Sequence, residues 1–374
     1  MIQKNPFVIY GYESAEHFCD RVDETKSLIQ NLTQTGNVLL TAQRRIGKTG
    51  LIEHCFHQSE ICDNYYTFLI DIYATKNLSE FVYLFGKSVI DVLRTKDRTV
   101  WQSFLSVLSS LRSSITFDAM GMPSWGVEIG EIKTPQLTLQ EIFTYLEQAD
   151  KPCIIAFDEF QTIAQYPEKK VEELLRTHIQ HCKNARFIFS GSQRHVLAEM
   201  FNTSARPFYQ STIQMTLAPI KLDHYIEFAQ HHFSVYQKQI LPETIALVYN
   251  RFEGITWYVQ YVLNILFSVT KEGEVAQPQY VDEAVDTIIS QLDYSMNSLV
   301  YQLPAKQKEL LWALCREGKV QRITAKNFLS KYKLTSSMVQ AAIKALMEKD
   351  YVSCELGTYF VYDKFLAEWM LRNM

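Results

Sequence analysis

The chain has 374 residues, of which 47% are hydrophobic and 13% aromatic, so it is long and apolar enough to form two or three globular domains. The formal net charge of −4 excludes a strongly basic protein, and binding to nucleic acid would therefore need a local basic patch. The 7 cysteines include no C-x-x-C pair and no apolar segment is long enough to span a bilayer, so we expect a cytoplasmic chain with reduced thiols and no association with membranes.

The first predicted functional element is a phosphate-binding loop between a strand and a helix. The sequence predicts a strand over NVLLT (37–41) and a helix over GLIEHCFHQ (50–58). The residues between them end as in the pattern G-x-x-x-x-G-K-[ST], whose backbone N–H groups and helix N-terminus hold phosphates. Ala42 replaces the first glycine, which adds only one methyl group. The predicted nucleotide contacts come from Ala42, Gln43, Arg44, Arg45, Ile46, Gly47, Lys48, Thr49 and Gly50.

Three residues at the end of this loop have predicted chemical roles. Gly47 lies where the chain must turn tightly and approach the phosphates without a Cβ in the way. Lys48 would place a positive charge on the β- and γ-phosphates of ATP, and Thr49 would contribute its hydroxyl to a Mg²⁺ ion. A solvated basic turn is the alternative interpretation, and the strand and helix on either side argue against it.

Four further elements are predicted before the next motif. They are a strand (65–73), a helix (79–94), an insertion or hairpin of unknown role (95–135) and a second helix (138–149). Ser79 is expected to cap the first of these helices. Thr138 and Glu141 are expected to form a capping box at the start of the second.

A second motif, KPCIIAFDEFQ (151–161), joins an apolar strand to two carboxylates. The apolar run from Cys153 to Phe157 predicts a strand buried on both faces, as in a parallel sheet. Asp158 and Glu159 follow at its carboxyl end, where sheets of this class bind ligands. We expect Asp158 to serve the Mg²⁺ ion and Glu159 to polarise the attacking water. An acidic strand end facing solvent is the alternative, and the upstream Gly-Lys-Thr argues against it.

The remainder of the chain predicts the end of the core and two further domains. ARFIFSGS (185–192) is predicted as a fourth strand, and alternating strands and helices indicate an α/β fold with a parallel sheet. The pattern then becomes helical, and three helices followed by a small hairpin are typical of a winged helix. We predict a core at 1–216, a helical domain at 217–299 and a winged-helix domain at 300–374.

The motifs together resemble those of the archaeal-type P-loop ATPases, part of the AAA+ and signal-transduction NTPase group, with a particular likeness to bacterial members from Bacteroidetes. The pieces DEFQ and RR-x-GKT are rather specific, and the resemblance extends over nearly the whole chain, more loosely across 95–135. The matching stretches are 5–25, 44–56, 155–161, 187–192 and 359–371.

This resemblance implies an ATPase core of the P-loop type, a helical lid at 217–299, a winged helix, and ATP with Mg²⁺ as ligands. It implies that the loop with Ala42 is functional. It also implies that Phe18 and Arg21 border the adenine and that Ser192 or Gln193 senses the γ-phosphate. Relatives often carry Gly-x-Pro in the lid, whereas this chain has Gly254-Ile255-Thr256.

An arginine finger is a further candidate for the catalytic machinery, because such a residue can add about 10³–10⁵ in rate. The candidates are Arg44, Arg45, Arg194 and Arg206. Arg206, in the segment SARPFYQ after the fourth strand, is the first choice for a catalytic role. A solvated or structurally paired arginine is the alternative interpretation for each of them.

Three functions remain open from the sequence. The leading interpretation is a nucleotide-driven molecular switch with slow ATP hydrolysis. The second is an ATP-gated DNA-binding regulator, whose recognition helix would be 335–350, although Lys344 and Lys349 there are accompanied by Glu348 and Asp350. The third is an ATP-binding scaffold without turnover.

The winged helix is expected to dock against protein rather than DNA. Its partner would be its own chain, a second copy or another protein. The alternative is that its apolar residues simply fill the core of the domain.

Overall fold

The computed structural model describes residues 5–96, 98–110, 115–117, 123–125 and 132–373. These residues form two compact units. The core unit comprises Val8–Phe228 together with Ile255–Trp257, and the C-terminal unit comprises the rest of the described chain. The predicted phosphate-binding loop and the acidic strand end both lie in the core unit.

The core unit alternates strands and helices along the chain. Its strands are β1 (Val38–Thr41), β2 (Tyr66–Asp71), β3 (Ile115–Phe117), β4 (Pro123–Trp125), β5 (Cys153–Asp158), β6 (Ala185–Gly191) and β7 (Ile213–Thr216). Its helices are α1 (Val22–Gln30), α2 (Lys48–Phe56), α3 (Ser59–Cys62), α4 (Leu78–Leu93), α5 (Arg98–Val107), α6 (Pro135–Gln148), α7 (Val171–His181) and α8 (Arg194–Asn202). A π-helical turn (Asn31–Thr35) follows α1, and a 3-10 helix (Phe160–Gln165) follows β5.

The main sheet has five parallel strands in the order β2-β5-β6-β1-β7. All residues of β5 are buried, because the strand lies between β2 and β6 and helices cover both faces of such a sheet. The carboxyl ends of parallel strands meet at one edge, so the ends of β1, β5 and β6 lie together. The predicted α/β core with a parallel sheet is therefore confirmed.

Aromatic side chains fix the position of β5. The ring of Phe157 lies 5.2 Å from the rings of both Phe81 and Phe85 on α4. Phe160, just after the strand, lies 4.6 Å from Phe189 of β6. Burying a side chain of this size stabilises a fold by about 1.5–3 kcal/mol. The acidic residues between Phe157 and Phe160 are thus carried on a rigid support.

The structure corrects two predicted helix starts. Asn77, not Ser79, caps α4, because its side chain accepts the N–H of Glu80. The helix α6 begins at Pro135, so Thr138 lies inside it and no capping box forms. Glu141 instead accepts hydrogen bonds from Ser109 and Ser110 next to α5. A capping pattern in sequence does not determine which polar residue precedes the helix.

Two further observations concern strands, one of which differs from the prediction. The edge strand β7 was not predicted, because its residues alternate between partly buried and exposed and include polar side chains. The predicted insertion contains the antiparallel pair of β3 and β4, as expected for a hairpin. Residues 97, 111–114, 118–122 and 126–131 of that insertion lie outside the described part of the chain.

The C-terminal unit is mainly helical, and α9 (Leu222–Val235) leads into it from the core unit. Its other helices are α10 (Pro242–Arg251), α11 (Thr256–Val269), α12 (Tyr280–Tyr301), α13 (Ala305–Glu317), α14 (Lys326–Tyr332), α15 (Ser336–Glu348) and α16 (Lys364–Asn373). The strands are β8 (Gln239–Ile240), β9 (Val275–Ala276), β10 (Lys319–Val320), β11 (Val352–Glu355) and β12 (Thr358–Val361). The helices α13–α15 followed by the β11–β12 hairpin form the predicted winged helix, and β10 adds a third strand to its sheet.

The last helix of the winged helix packs against the preceding helices of the same unit. The ring of Phe365 on α16 lies 5.3 Å from Phe252 and 4.9 Å from Tyr258. Arg251 donates two hydrogen bonds of 2.8 Å to the carboxylate of Glu368. Phe360, Phe365 and Trp369 are therefore buried within this chain, and contact with another protein stays a prediction. None of the helices in the described ranges has the length and apolar character that a membrane crossing requires.

Candidate functional site

The loop between β1 and α2 has the backbone geometry of an anion-binding turn. Gly47, the residue before α2, has φ 99°, a conformation that side chains other than glycine rarely adopt. Arg45 also has a positive φ of 68°. Ala42 and Ile46 are buried, so the small side chain at position 42 fits the tightly packed base of the loop. Gln43 is partly exposed on the same loop.

Lys48 begins α2 and is only 6% exposed. Burial lowers the pKa of its ammonium group, whereas the charges of Glu159 and Asp158 raise it. Arg44 and Arg194 lie near enough to lower it further. This cluster of positive charge, with two carboxylates beside it, is typical of a site for a highly charged anion and a cation.

Asp158, the last residue of β5, connects the strand end to the loop. Its Oδ2 accepts a hydrogen bond of 2.6 Å from the Thr49 hydroxyl, and its Oδ1 accepts the N–H of Glu159 at 3.0 Å. Both carboxylate oxygens are thereby oriented. The sequence predicted that Thr49 and Asp158 serve one ion, and the structure brings the two side chains into contact.

The donor set at this point fits Mg²⁺. A hydroxyl and a carboxylate are hard oxygen ligands, and Mg²⁺ is typically held by one or two such groups together with phosphate oxygens. Among the residues that the structure describes, no group of three or more His, Cys, Asp or Glu side chains could hold a metal by itself. Thr49 and Asp158 therefore fit an ion shared with a phosphate ligand rather than one enclosed by protein.

Glu159 is held in an unusual backbone conformation by neighbours from two strands. Its φ of 56° is left-handed, at the sharp turn between β5 and the 3-10 helix. Its Oε2 accepts hydrogen bonds from the Ser192 hydroxyl at 2.8 Å and from Gln161 Nε2 at 2.5 Å. Arg44 Nε in turn donates to Ser192 Oγ at 3.0 Å. The loop, the acidic strand end and the residue after β6 thus form one hydrogen-bonded network.

Of the two sensor candidates, Ser192 reaches this network. Gln193 instead precedes α8, where its main-chain oxygen accepts the N–H of Leu197 at 3.1 Å.

The two residues predicted to border the adenine lie against the loop and α2. The ring of Phe18 stacks on His54 with centroids 4.5 Å apart, and a Cβ added to Gly50 would lie 3.4 Å from it. Arg21 is 2% exposed and its guanidinium approaches the main-chain oxygen of Ile46 at 3.4 Å. Both therefore border the segment that would hold the nucleotide.

Arg206 pairs with two carboxylates that do not belong to the hydrogen-bonded network around Glu159. Its guanidinium lies 2.7 Å from Glu172 and 3.8 Å from Glu199. These ion pairs agree with the paired, structural alternative, and a catalytic role for Arg206 stays a prediction.

Two residues near the loop were missed by the sequence analysis. The Thr256 hydroxyl donates to the main-chain oxygen of Ile46 at 2.9 Å, and the N–H of Trp257 donates to that of Arg45 at 3.0 Å. The Arg45 guanidinium also lies 4.3 Å from the centre of the Trp257 ring. The first residues of α11 therefore hold the loop through two hydrogen bonds. The only signal for this contact in the sequence was the threonine that stands where relatives have the proline of Gly-x-Pro.

Asp71, the last residue of β2, was also missed. It lies beside Asp158 in the parallel register of β2 and β5. The pKa of its carboxyl is raised, first by desolvation and then by the negative charges of Asp158 and Glu159. Asp71 is visible in the sequence near the end of a predicted strand. Its place beside Asp158 could be recognised only with the order of the strands in the sheet.

The architecture is similar to that of several solved archaeal proteins. The Walker-type ATPase of Pyrococcus abyssi is 17% identical with a TM-score of 0.65, and the match covers 98% of this chain and 99% of that one. The ORC2 protein of Aeropyrum pernix, in ADPNP–ADP complexes, is 13% identical with a TM-score of 0.57, and coverage is 99% and 96%. The ORC1 protein of Aeropyrum pernix, in complex with DNA, is 14% identical with a TM-score of 0.52 and coverage of 95% and 92%. These similarities establish the fold alone, and a comparison with curated proteins finds no significant match.

Two family models match the sequence. Residues 294–372 match a probable winged helix domain, in agreement with α13–α16 and their small sheet. Residues 18–262, more than half of the chain, match an ATPase domain that occurs predominantly in Archaea. This second match includes the loop, the acidic strand end and Ser192. The chain therefore belongs to the family of ATPase domains found predominantly in Archaea.

Proposed function

We propose that the chain binds ATP with Mg²⁺ at the loop 42–50 and hydrolyses it slowly to ADP and phosphate, as a nucleotide-driven molecular switch in the cytoplasm. The observation that carries this proposal is the hydrogen bond between Thr49 Oγ1 and Asp158 Oδ2. It joins residues 109 positions apart in the chain and places the end of a phosphate-type loop against an acidic strand end. That combination is what a phosphate-bound metal ion requires.

Binding would use the positive charge and the free N–H groups around the loop. The first turn of α2 presents backbone donors that have no partner within the helix. Lys48 and Arg44 supply charge next to these donors, and Phe18 and Arg21 border the adenine. Thr49 and Asp158 would hold a Mg²⁺ ion, which would supply positive charge to the phosphate oxygens.

Hydrolysis would use Glu159 as the group that orients water and accepts its proton. The water oxygen forms a bond to the γ-phosphorus as the bond to the β-phosphate oxygen breaks, and ADP leaves with its charge stabilised by Lys48. The proton passes from water to Glu159 and then to solvent. Ser192 connects Glu159 to Arg44, and it is therefore suited to report whether a γ-phosphate is present.

The switch would act through the clamp on the loop. Thr256 and Trp257 bond to the main-chain oxygens of Ile46 and Arg45, and they are the first residues of α11. A movement of the loop on loss of phosphate therefore changes the contacts of the first turn of that helix. Helix starts of this kind are elements that nucleotide state can bias.

The test is a binding and turnover assay on the purified chain. Calorimetry should detect ATP binding that needs Mg²⁺, and phosphate release should follow at a low rate. Binding should weaken in Lys48→Ala, and turnover should be lost in Glu159→Gln. A parent chain that does not bind ATP would contradict the proposal, and one that binds without turnover would leave only the scaffold function.

A second candidate is an ATP-gated regulator that binds DNA through the winged helix. The winged-helix match favours it, as does the likeness in fold to an ORC1 protein described in complex with DNA. Charge argues against it, since lysines of this domain lie beside carboxylates. The pairs are Lys331 with Glu317, Lys344 with Glu348, and both Lys319 and Lys364 with Glu253. Phosphate binding needs a net positive face, and we therefore rank this function second.

A further inference from the structure

Gln161 lies next to Glu159 and has a feature that simple core packing does not explain. It is 3% exposed, and its amide nitrogen donates to Glu159 Oε2. Its amide oxygen is buried and has no hydrogen-bond partner among the residues that the structure describes. Buried polar atoms of native proteins nearly always have a partner, and an exception calls for a reason.

The surroundings fix which end of this amide faces Glu159. A carboxylate oxygen attracts the NH₂ end and repels the carbonyl end, so the opposite orientation is excluded. The amide oxygen is then directed at Gly191, where an added Cβ would lie only 2.0 Å from it. A glycine at the end of β6 is therefore what allows Gln161 to occupy this place.

Gln161 and Ser192 both donate to the same oxygen of Glu159. Among the described residues, no hydrogen bond to the other carboxylate oxygen, Oε1, is formed. Glu159 also keeps a left-handed backbone, which costs free energy unless its surroundings enforce it. Two donors engage Oε2, and they leave Oε1 as the oxygen available to accept a proton.

We propose that Gln161 is a positioning residue that orients Glu159 for its reaction with water. This inference rests on the proposed function, because it takes Glu159 as the group that accepts the proton. Gln161 plays the part of the third group that orients a catalytic base in many enzymes. It acts through Glu159, by keeping Oε1 available and Oε2 engaged.

The test uses two variants that differ in hydrogen-bonding capacity. Gln161→Leu keeps the volume and removes the donor, so kcat should fall about tenfold or more while the affinity for Mg·ATP stays within about twofold. Gln161→Glu places a second carboxyl against Glu159. Two carboxyls at this distance share one proton at moderate pH, and the singly protonated pair reproduces the original hydrogen bond.

The pH profile separates positioning from a merely structural role. In Gln161→Glu, turnover should approach that of the parent at low pH and fall as pH rises, because loss of the shared proton replaces the hydrogen bond by repulsion. Gln161→Leu should be slow at every pH. Gln165 lies on the exposed end of the same 3-10 helix, so Gln165→Glu and Gln165→Leu are matched controls that should keep the parent profile.

Each outcome decides the matter. Parent-like kcat in Gln161→Leu, or a Gln161→Glu profile that parallels the parent, would overturn the positioning role. If Glu159→Gln also retains turnover, the role of Glu159 as the base fails with it, whereas a parent chain that does not bind ATP would overturn the proposed function. If the Gln161 variants behave like the parent and Glu159→Gln is inactive, only the proposed role of Gln161 is overturned. Should Gln161→Glu not fold, as judged by its thermal unfolding, the split between kcat and affinity in Gln161→Leu decides alone.

Discussion

Thr256 Oγ1 donates a hydrogen bond of 2.9 Å to the main-chain oxygen of Ile46, a residue 210 positions earlier in the chain. Proline, which relatives with Gly-x-Pro would place here, has no donor group and could not make this bond. The N–H of Trp257 makes a second bond to the loop at Arg45. The start of α11 therefore holds two consecutive residues of the loop in place.

Removing this hydroxyl should loosen the loop. In Thr256→Val the shape is retained and the oxygen of Ile46 loses a donor, which typically costs about 1 kcal/mol. We expect a lower melting temperature and a Kd for ATP that rises about fivefold, since the same free energy is needed to order the loop. Thr177→Val removes a threonine hydroxyl that donates to the main-chain oxygen of Glu173 in the same helix, and it should leave affinity unchanged. Equal affinity in both variants would exclude the clamp as a determinant of binding.

Lys48 should carry a large part of the phosphate affinity. A charge-assisted contact is worth about 1.5–3 kcal/mol, so Lys48→Ala should bind ATP about 10–100 times more weakly in calorimetry. The control is Lys76→Ala, which removes an exposed lysine from the same unit and should bind normally. Parent-like ATP binding by Lys48→Ala would rule out the loop as the phosphate site.

The pairing of Thr49 with Asp158 predicts a shared dependence on Mg²⁺. Thr49→Val and Asp158→Asn should each raise the Mg²⁺ concentration needed for half-maximal turnover about tenfold or more, because each removes an oxygen ligand or its charge. Thr49→Ser keeps the hydroxyl and should retain the parent requirement. Since both residues serve one ion, the double variant should be little worse than the poorer single variant. Fully additive losses would show that they act at separate places.

The parts of the fold that could be predicted from sequence are those set by local pattern. The continuous apolar run of β5 and its two carboxylates indicated a central parallel strand, and the structure has that strand fully buried. Gly-Lys-Thr after a short apolar strand indicated the loop and the start of α2. The edge strand β7 carries no such pattern, because every second residue of the strand is exposed to solvent.

The rest of the site depends on contacts that no local pattern encodes. Asp71 is next to Asp158 only because β2 neighbours β5 in the sheet. Gln161 was visible as part of the DEFQ motif, but its contact with Glu159 requires the turn at φ 56°. Arg206 was chosen as a finger because it follows the last predicted strand, and the fold places two carboxylates beside it.

The winged helix should bind DNA weakly, because four of its lysines lie beside carboxylates. At about 150 mM salt we expect no duplex binding in the micromolar range, and Lys344→Ala with Lys349→Ala should change nothing. A protein that contacts phosphates loses affinity by about one power of salt for each contact. Micromolar binding with a steep salt dependence that these two substitutions abolish would instead favour the DNA-binding regulator.

The central claim is that Glu159 acts in the hydrolysis of ATP and not in its binding. The most direct measurement compares Mg·ATP affinity and phosphate release in the parent chain and in Glu159→Gln. The account predicts an affinity within about twofold of the parent and a rate of phosphate release lower by about 10²–10⁴. Phosphate release at the parent rate in Glu159→Gln would contradict it.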